Sequence, residues 1–264
     1  MEQKEKKDIS QHHQQAAGCV VTKADIPYVL ASVTCCLIFI VYGAAAASLG
    51  AALPTLAKHY NKPISQMGAT FTSRGIGYLF GTVVSGWTLS YASLPYSKEF
   101  MVAISEIVMG FAIFLVDKTT NFGLCLFLFV IQGVSYGIID TLANCAMPEM
   151  WGRRVQPWMQ TMHSCFGIGA IIGPSIVGGF GYQLCFTLIF LGSFLPLCSV
   201  IVTNLFGYGN PKVKKSTTEE ESEEVDEVEG RNAPFLFKVI VSLFFFIYVG
   251  AETGNFLLFF INKI

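Results

Sequence analysis

Two polar side chains stand four residues apart inside an apolar stretch of this 264-residue sequence. Asp140 and Asn144 lie within Phe122–Met147, and residues spaced by four share one face of an α-helix. Gly133 and Gly137 lie on the same face, so a neighbouring helix can approach it closely. Because an ionisable residue near the middle of a bilayer costs about 2.5–3.5 kcal/mol, it is retained for a reason. We predict that Asp140 and Asn144 bind a polar solute; a polar clasp between two helices is the alternative.

A second polar group begins just before the stretch Met159–Gly181 and continues into it. Its members recur at helical spacing along one stripe: Gln156, Gln160, His163, Gly167, Ala170 and Pro174. Amide and imidazole groups donate and accept hydrogen bonds without a fixed charge, which suits the hydroxyl groups of sugars. We predict that Gln160 and His163 contact a substrate. The alternative for His163 is a buried, hydrogen-bonded histidine.

Two residues of opposite charge lie in neighbouring apolar stretches, Arg74 in the second and Glu106 in the third. A guanidinium group in hydrocarbon either reaches the membrane interface or pairs with a carboxylate. We predict an intramembrane ion pair between Arg74 and a carboxylate, with Glu106 or Asp140 as the partner.

Two ladders of small residues predict where helices pack closely. Gly77, Gly81 and Ser85 recur every four residues in the second stretch, and Gly169 and Gly173 do so in the fifth. Small residues at this spacing allow two helix backbones to approach each other within a membrane.

All these residues belong to long apolar stretches. There are seven: Tyr28–Leu53, Met67–Tyr91, Phe100–Val116, Phe122–Met147, Met159–Gly181, Leu184–Phe206 and Phe235–Ile261. A bilayer core of about 30 Å requires roughly 20 helical residues, so each stretch can cross, the third being the shortest. Hydrophobic residues make up 53% of the chain and charged residues 13%. The sequence predicts an all-α, multi-pass membrane protein.

Charge placement and composition predict the topology and the domains. Lys and Arg collect on alternate connectors, as at Arg153 and Arg154, which places the N-terminus in the cytoplasm. Residues 1–25 form the N-terminal tail, 26–206 a six-span unit, 207–234 an acidic cytoplasmic linker and 235–264 a seventh span. The linker carries too little apolar surface to fold alone. A cleaved signal peptide is the alternative for the first stretch.

Five local motifs, each in a different stretch, carry a family resemblance. They are Gly50–Ala57, Phe71–Gly81, Gly137–Asn144, Gln160–Ala170 and Tyr248–Gly254. Together they resemble the major facilitator superfamily, in the branch of the sodium-dependent glucose transporter and the major facilitator domain-containing proteins of group 4, distantly similar to fucose permeases. The resemblance implies the N-terminal six-helix half of a major facilitator fold plus a seventh transmembrane helix.

The sequence departs from the family pattern in two places. The signature G-x-x-x-D-[RK]-x-G-R-R between the second and third spans is replaced by residues Gly86 to Lys98, which lack its Asp and its Arg pair. The chain also ends at Ile264, after one span of the second half, so we expect a truncated product.

The resemblance implies a transporter of hexose-like sugars that works by alternating access, with Na⁺ or H⁺ coupling, in the plasma membrane. Glu252 matches a carboxylate that the family places beside the transport pathway, and is the predicted ion-coupling residue. The expected partners are a sugar, Na⁺ or H⁺ and the lipid bilayer, with no nucleic acid; no enzymatic activity, cofactor or metal is predicted. Because alternating access needs two halves, we expect that this chain alone does not carry solute.

Two alternatives to transport remain. One is a half-transporter that acts only as an assembly partner. The other is a seven-span signalling receptor, which the predicted cytoplasmic N-terminus and the lack of an Asp/Glu-Arg-Tyr ending of the third span oppose.

Overall fold

The computed structural model describes residues 25–91 and 98–205, which are helical almost throughout and contain no strand. Seven helices are labelled here: α1 (Ile26–His59), α2 (Ala69–Tyr91), α3 (Lys98–Lys118), α4 (Phe122–Trp151), α5 (Val155–Phe180), α6 (Tyr182–Gly192) and α7 (Leu195–Leu205). A one-turn helix, Ile64–Met67, precedes α2, and a 3-10 turn, Gly152–Arg154, joins α4 to α5. The linker 207–234, the seventh stretch and Glu252 lie outside the described residues.

Four helical segments are long and apolar enough to cross a membrane. They are Ile26–His59, Phe100–Lys118, Phe122–Phe180 and Tyr182–Ile201, and the third contains both α4 and α5. The helix α2 has 23 residues but is not one of these segments, since Arg74 and its many Gly, Ser and Thr residues lower its hydropathy. The same small residues bring α2 against α4.

The sixth predicted span, Leu184–Phe206, is not continuous. The structure interrupts it after Gly192, so that α6 and α7 are separate helices. Pro196 explains the break, because proline has no N–H to donate and its ring clashes with the carbonyl four residues earlier. The Ser193 hydroxyl donates to the Phe190 carbonyl over 2.7 Å, which satisfies one of the freed acceptors.

Glycines hold α1 against α5. A Cβ atom added to Gly169 would lie 1.9 Å from the Ile40 carbonyl oxygen, and one added to Gly173 would lie 2.3 Å from that of Ala44. Residue numbers rise together on the two helices, so they run parallel. The predicted packing role of Gly169 and Gly173 is confirmed.

The helices α2 and α4 form a second parallel pair of the same kind. A Cβ atom added to Gly77 would lie 2.1 Å from the Val130 carbonyl oxygen. One added to Gly133 would lie 2.0 Å from the Arg74 carbonyl oxygen. At Gly81 and Gly137 the corresponding distances to carbonyl oxygens are 2.2 and 2.4 Å. Here the glycines of both helices interlock, and the predicted role of the Gly77–Gly81 ladder is confirmed.

Two apolar clusters fill the core of the bundle. One includes Leu49, Met109 and Phe129, and the other includes Ile38 and Leu142. Tyr42 packs against both clusters. The polar residues described next lie close to this tyrosine, where the two clusters meet.

Candidate functional site

Asp140 is held by hydrogen bonds from two directions. The Tyr78 hydroxyl of α2 donates to Asp140 Oδ2 over 2.7 Å. The Asn144 amide donates to Asp140 Oδ1 over 2.9 Å and to the Asp140 carbonyl over 2.8 Å. Gly137 makes this geometry possible by admitting the Tyr78 backbone to the surface of α4. The predicted common face of Asp140 and Asn144 is confirmed, and their binding of a solute stays a prediction.

The same hydrogen bonds also support the alternative interpretation, a clasp between helices. The Tyr78 hydroxyl crosses from α2 to α4, so Asp140 joins the two helices directly. Asp140 and Asn144 nevertheless remain partly exposed. A partly exposed carboxylate with fixed orientation can hold its neighbouring helix and still accept a further hydrogen bond from a ligand.

Aromatic rings from three helices lie beside the carboxylate. The ring of Tyr42 on α1 has its centroid 4.6 Å from that of Tyr136 on α4 and 5.1 Å from that of Phe166 on α5. Asp140 and Arg74 lie within electrostatic range of the Tyr42 hydroxyl. Sequence reasoning missed these tyrosines. A usable signal existed, since Tyr136 precedes Asp140 by four residues and therefore shares its side of α4.

The ion pair predicted for Arg74 is not formed. Its Nη1 donates to the Ala46 carbonyl of α1 over 3.2 Å, and its guanidinium lies 5.3 Å from the ring centroid of Phe71 and 5.6 Å from that of Tyr136. Asp140 is held by other donors, and Glu106 lies on α3, which packs chiefly on α4 and α6 rather than on α2. Cation–π contacts and a carbonyl thus replace the expected carboxylate.

Glu106 is fully buried, with an exposed fraction of 0%. Neither of its carboxyl oxygens has a hydrogen-bond partner within the described residues. The same is true of both polar atoms of the Gln132 side chain and of the Tyr136 hydroxyl on α4.

Gln160 and His163 lie on an exposed face of α5. The alternative of a buried histidine is therefore wrong for His163. Its ring meets Phe39 edge-on with centroids 5.7 Å apart, and Phe39 in turn contacts Tyr42 at 5.7 Å. The structure thus connects His163 to the tyrosines near Asp140 only through a series of rings. A role for Gln160 and His163 in binding stays a prediction.

A clasp of charged and aromatic residues joins α1, α4 and α5 at the end where α1 begins. Arg154 donates to both carboxylate oxygens of Asp25, over 3.1 and 3.3 Å. The Trp151 indole donates to the Ser32 hydroxyl over 2.7 Å and stacks on Trp158 with centroids 4.5 Å apart. We call these five residues the end clasp. Charge placement predicts only a topological role for Arg154, and nothing in its local sequence predicts its partner.

A second ion pair lies at the same end of the bundle. Lys98, the first residue of α3, pairs with Glu149 near the end of α4. Within residues 25–91 and 98–205, no group of three His, Cys, Asp or Glu side chains has the arrangement of a metal site.

Comparison with known proteins identifies relatives of the chain. The family model of the Major Facilitator Superfamily matches residues 35–263. "Sodium-dependent glucose transporter 1" of Rattus norvegicus is 30% identical over 136 residues, 52% of this chain and 27% of that protein. The protein of the same name from Xenopus laevis is 24% identical over 238 residues, 80% of this chain and 46% of that protein.

A relative named for a different solute also matches. "4-hydroxybenzoate transporter PcaK" of Acinetobacter baylyi is 24% identical over 182 residues, 67% of this chain and 38% of that protein. The chain thus spans between 27% and 46% of the length of these three relatives. No solved structure matches the chain.

Proposed function

Because the chain belongs to the Major Facilitator Superfamily, we propose that it provides the substrate-binding helices of a membrane transporter for hexose-like sugars. Transport proceeds by alternating access, in which two halves rock about a shared site. The observation that carries the proposal is the oriented, partly exposed Asp140 and Asn144 pair beside the tyrosine rings.

The chemistry of this pair suits a sugar. A carboxylate accepts hydrogen bonds from hydroxyl groups, and an amide both donates and accepts them. Flat aromatic faces cover the apolar C–H faces of a pyranose ring, as the partly exposed Tyr42 can from one side. Tyr78 holds the carboxylate in place before the sugar arrives, which lowers the entropy cost of binding.

The printed names of relatives support a sugar substrate and cation coupling. Relatives from rat and Xenopus are named as sodium-dependent glucose transporters. We infer coupling to Na⁺ or H⁺ for this chain on that basis, with Glu252 as a proposed coupling residue outside the described part of the chain. The proposed location is the plasma membrane, with the N-terminus in the cytoplasm.

One observation favours a second candidate substrate, an aromatic carboxylate. Arg74 contacts the faces of two aromatic rings and makes no ion pair within the described residues. A guanidinium of this kind can bind a carboxylate in a two-point contact. The relative from Acinetobacter is named for 4-hydroxybenzoate, which has that chemistry.

Equilibrium binding tests the proposal, because the described helices form one half of the fold. Labelled hexoses and 4-hydroxybenzoate are titrated against the purified chain in lipid nanodiscs. Hexose affinity is expected to fall roughly 10- to 100-fold in Asp140→Asn, since a hydrogen bond to a charged group contributes about 1.5–3 kcal/mol. Asp117→Asn, at the end of α3, is the matched control and keeps the affinity of the parent chain.

Three outcomes decide between the candidates. Saturable hexose binding that depends on Asp140 supports a sugar transporter. Binding of 4-hydroxybenzoate alone, lost in Arg74→Gln, replaces it with the second candidate. A folded chain that binds none of these solutes contradicts both and supports an assembly role.

A further inference from the structure

Three polar side chains of α3 and α4 are buried in the interior of the bundle. Glu106 is 0% exposed, Gln132 1% and Tyr136 4%. Five of their oxygen and nitrogen atoms make no hydrogen bond within the described residues, although Arg74 lies near Tyr136. Native proteins almost always satisfy such atoms with protein groups, water or a bound ligand.

The packing register brings the three side chains together. The helices α3 and α4 are consecutive and antiparallel, joined by a short turn. Val102 lies in the apolar cluster of Leu142, whereas Ile113 lies in that of Phe129. Glu106, between Val102 and Ile113, is therefore level with the residues of α4 between Phe129 and Leu142. The Tyr136 hydroxyl lies within electrostatic range of both Arg74 and Glu106, which agrees with this register.

The charges of the bundle interior do not balance. Among the described residues, Arg74, Glu106 and Asp140 are the only formally charged side chains more than one turn from a helix end. One positive and two negative charges leave an excess of one negative charge. A buried carboxylate is either offset by a positive charge or neutralised by a proton, and one monovalent cation would balance the set.

We propose that Glu106, Gln132 and Tyr136 form a binding site for a monovalent cation, with Na⁺ as its ligand. Both carboxyl oxygens, the Gln132 amide oxygen and the Tyr136 hydroxyl supply four hard oxygen ligands, the type that hard cations prefer. This proposal rests on the proposed cation coupling. It assigns the coupling site to α3 and α4, a position that neither the sequence motifs nor the names of relatives indicate.

The measurements below distinguish Na⁺ from three other occupants. A divalent cation would leave an excess positive charge. A proton would neutralise Glu106 and let its carboxyl group hydrogen-bond to the Gln132 amide, but it would give no dependence on Na⁺. Water alone would satisfy the amide but not the excess charge.

Cation-dependent stability of the purified full chain tests the site without requiring transport. Thermal unfolding is compared in NaCl, KCl and choline chloride at equal ionic strength. At a Na⁺ concentration tenfold above the dissociation constant, the unfolding midpoint should rise by roughly 3–6 °C in NaCl alone. Glu106→Gln should abolish this increment, and Gln132→Met should reduce it. Asp117→Asn, on the same helix and outside the site, should keep it.

Binding of radioactive sodium to the same proteins provides a second measurement that does not depend on stability. Saturable binding to the parent chain and its loss in Glu106→Gln support the site. Equal midpoints in the three salts, or Na⁺ binding that survives Glu106→Gln, overturn it. A midpoint that responds to pH but to no cation also overturns it, in favour of a proton.

The hexose titration keeps the two proposals separate. Hexose binding that is identical in NaCl and choline chloride, with no sodium bound, would end the cation site and leave the sugar site standing. Sodium binding without hexose binding would do the reverse.

Discussion

The contacts α1–α5 and α2–α4 are built by the same packing device and carry different chemistry. In both, parallel helices meet where glycines admit the carbonyl oxygens of the partner helix. The α2–α4 contact also contains the Tyr78–Asp140 hydrogen bond, whereas glycines and apolar side chains form much of the α1–α5 contact. Since α1–α5 packs as closely without a carboxylate, packing alone does not require Asp140.

The two contacts correspond within the repeat that the family contains. Each six-helix half consists of two inverted repeats of three helices, so α1 corresponds to α4 and α2 to α5. The pair α1–α5 is then the counterpart of α4–α2. The shared glycines reflect the common architecture, and the residues that differ are where we expect specialised function.

The largest expected effect comes from filling the glycine contacts. Gly169→Ala on α5 and Gly133→Ala on α4 place a methyl group about 2 Å from a carbonyl oxygen, so the backbones must separate. Each should destabilise the chain by about 3 kcal/mol or more, measured by the thermal unfolding midpoint in detergent.

Both helix pairs offer matched controls. A Cβ atom at Gly167 on α5 or at Gly75 on α2 meets nothing within 4 Å. Gly167→Ala and Gly75→Ala should be neutral or should stabilise by up to about 1 kcal/mol, because alanine favours helix over glycine. If only one contact responds to its filled glycine, the two do not share a packing device.

A smaller effect is expected from Tyr78→Phe, which removes only the polar part of the α2–α4 contact. Asp140 loses one donor but remains partly exposed, so water can replace it, and the cost should be about 1 kcal/mol of stability. Tyr42→Phe on α1 is the matched control for stability. A loss as large as that of Gly133→Ala would show that Asp140 serves mainly to hold the helices together.

The last prediction tests the register of the α1–α5 contact by cross-linking, which should change stability least. Cys36 and Cys165 are close enough to interact, and they lie one turn before the contacts of Ile40 with Gly169. Mild oxidation with copper phenanthroline should join these thiols, detected as two proteolytic fragments that separate only after reduction. Replacing Cys36 with serine should abolish the link.

A comparable cysteine pair can be built into the α2–α4 contact, one turn after its glycine contacts rather than one turn before. Thr82 and Thr141 continue the steps Arg74 to Gly133 and Tyr78 to Gly137. Thr82→Cys combined with Thr141→Cys should therefore cross-link as Cys36 and Cys165 do. Failure of the engineered pair under conditions that link the natural one would mean that the two registers differ.

Sequence patterns were sufficient for the helices and their closest contacts. The apolar stretches predicted the positions of α1 to α5, although α2 is less apolar than the others, and the spacing of small residues identified both ladders. Boundaries were less accurate: α1 continues past Leu53 through Pro54 to His59. Hydrophobic length does not reveal the break between α6 and α7, because Pro196 interrupts the helix without making the stretch polar.

The site was harder to predict because partners on different helices leave no mark on local spacing. Asp140 and Asn144 are neighbours on one helix, so their relation was readable. The environment of Arg74 depends on α1 and α4 together. Pairing opposite charges along the sequence does not reveal its contacts with an aromatic face and a backbone carbonyl. The charge pattern predicts Glu106 as a partner for Arg74, whereas in the structure Glu106 lies on α3, which packs against α4.

The end clasp has a mechanical consequence. The proposed transport requires the helices of the bundle to move as one body, so its two glycine-packed pairs must be tied to each other. Asp25 and Arg154 tie the start of α1 to the turn between α4 and α5, and Trp151 bonds to Ser32 on α1. These ties connect one glycine-packed pair to the other, so torque applied to either is carried by all four helices.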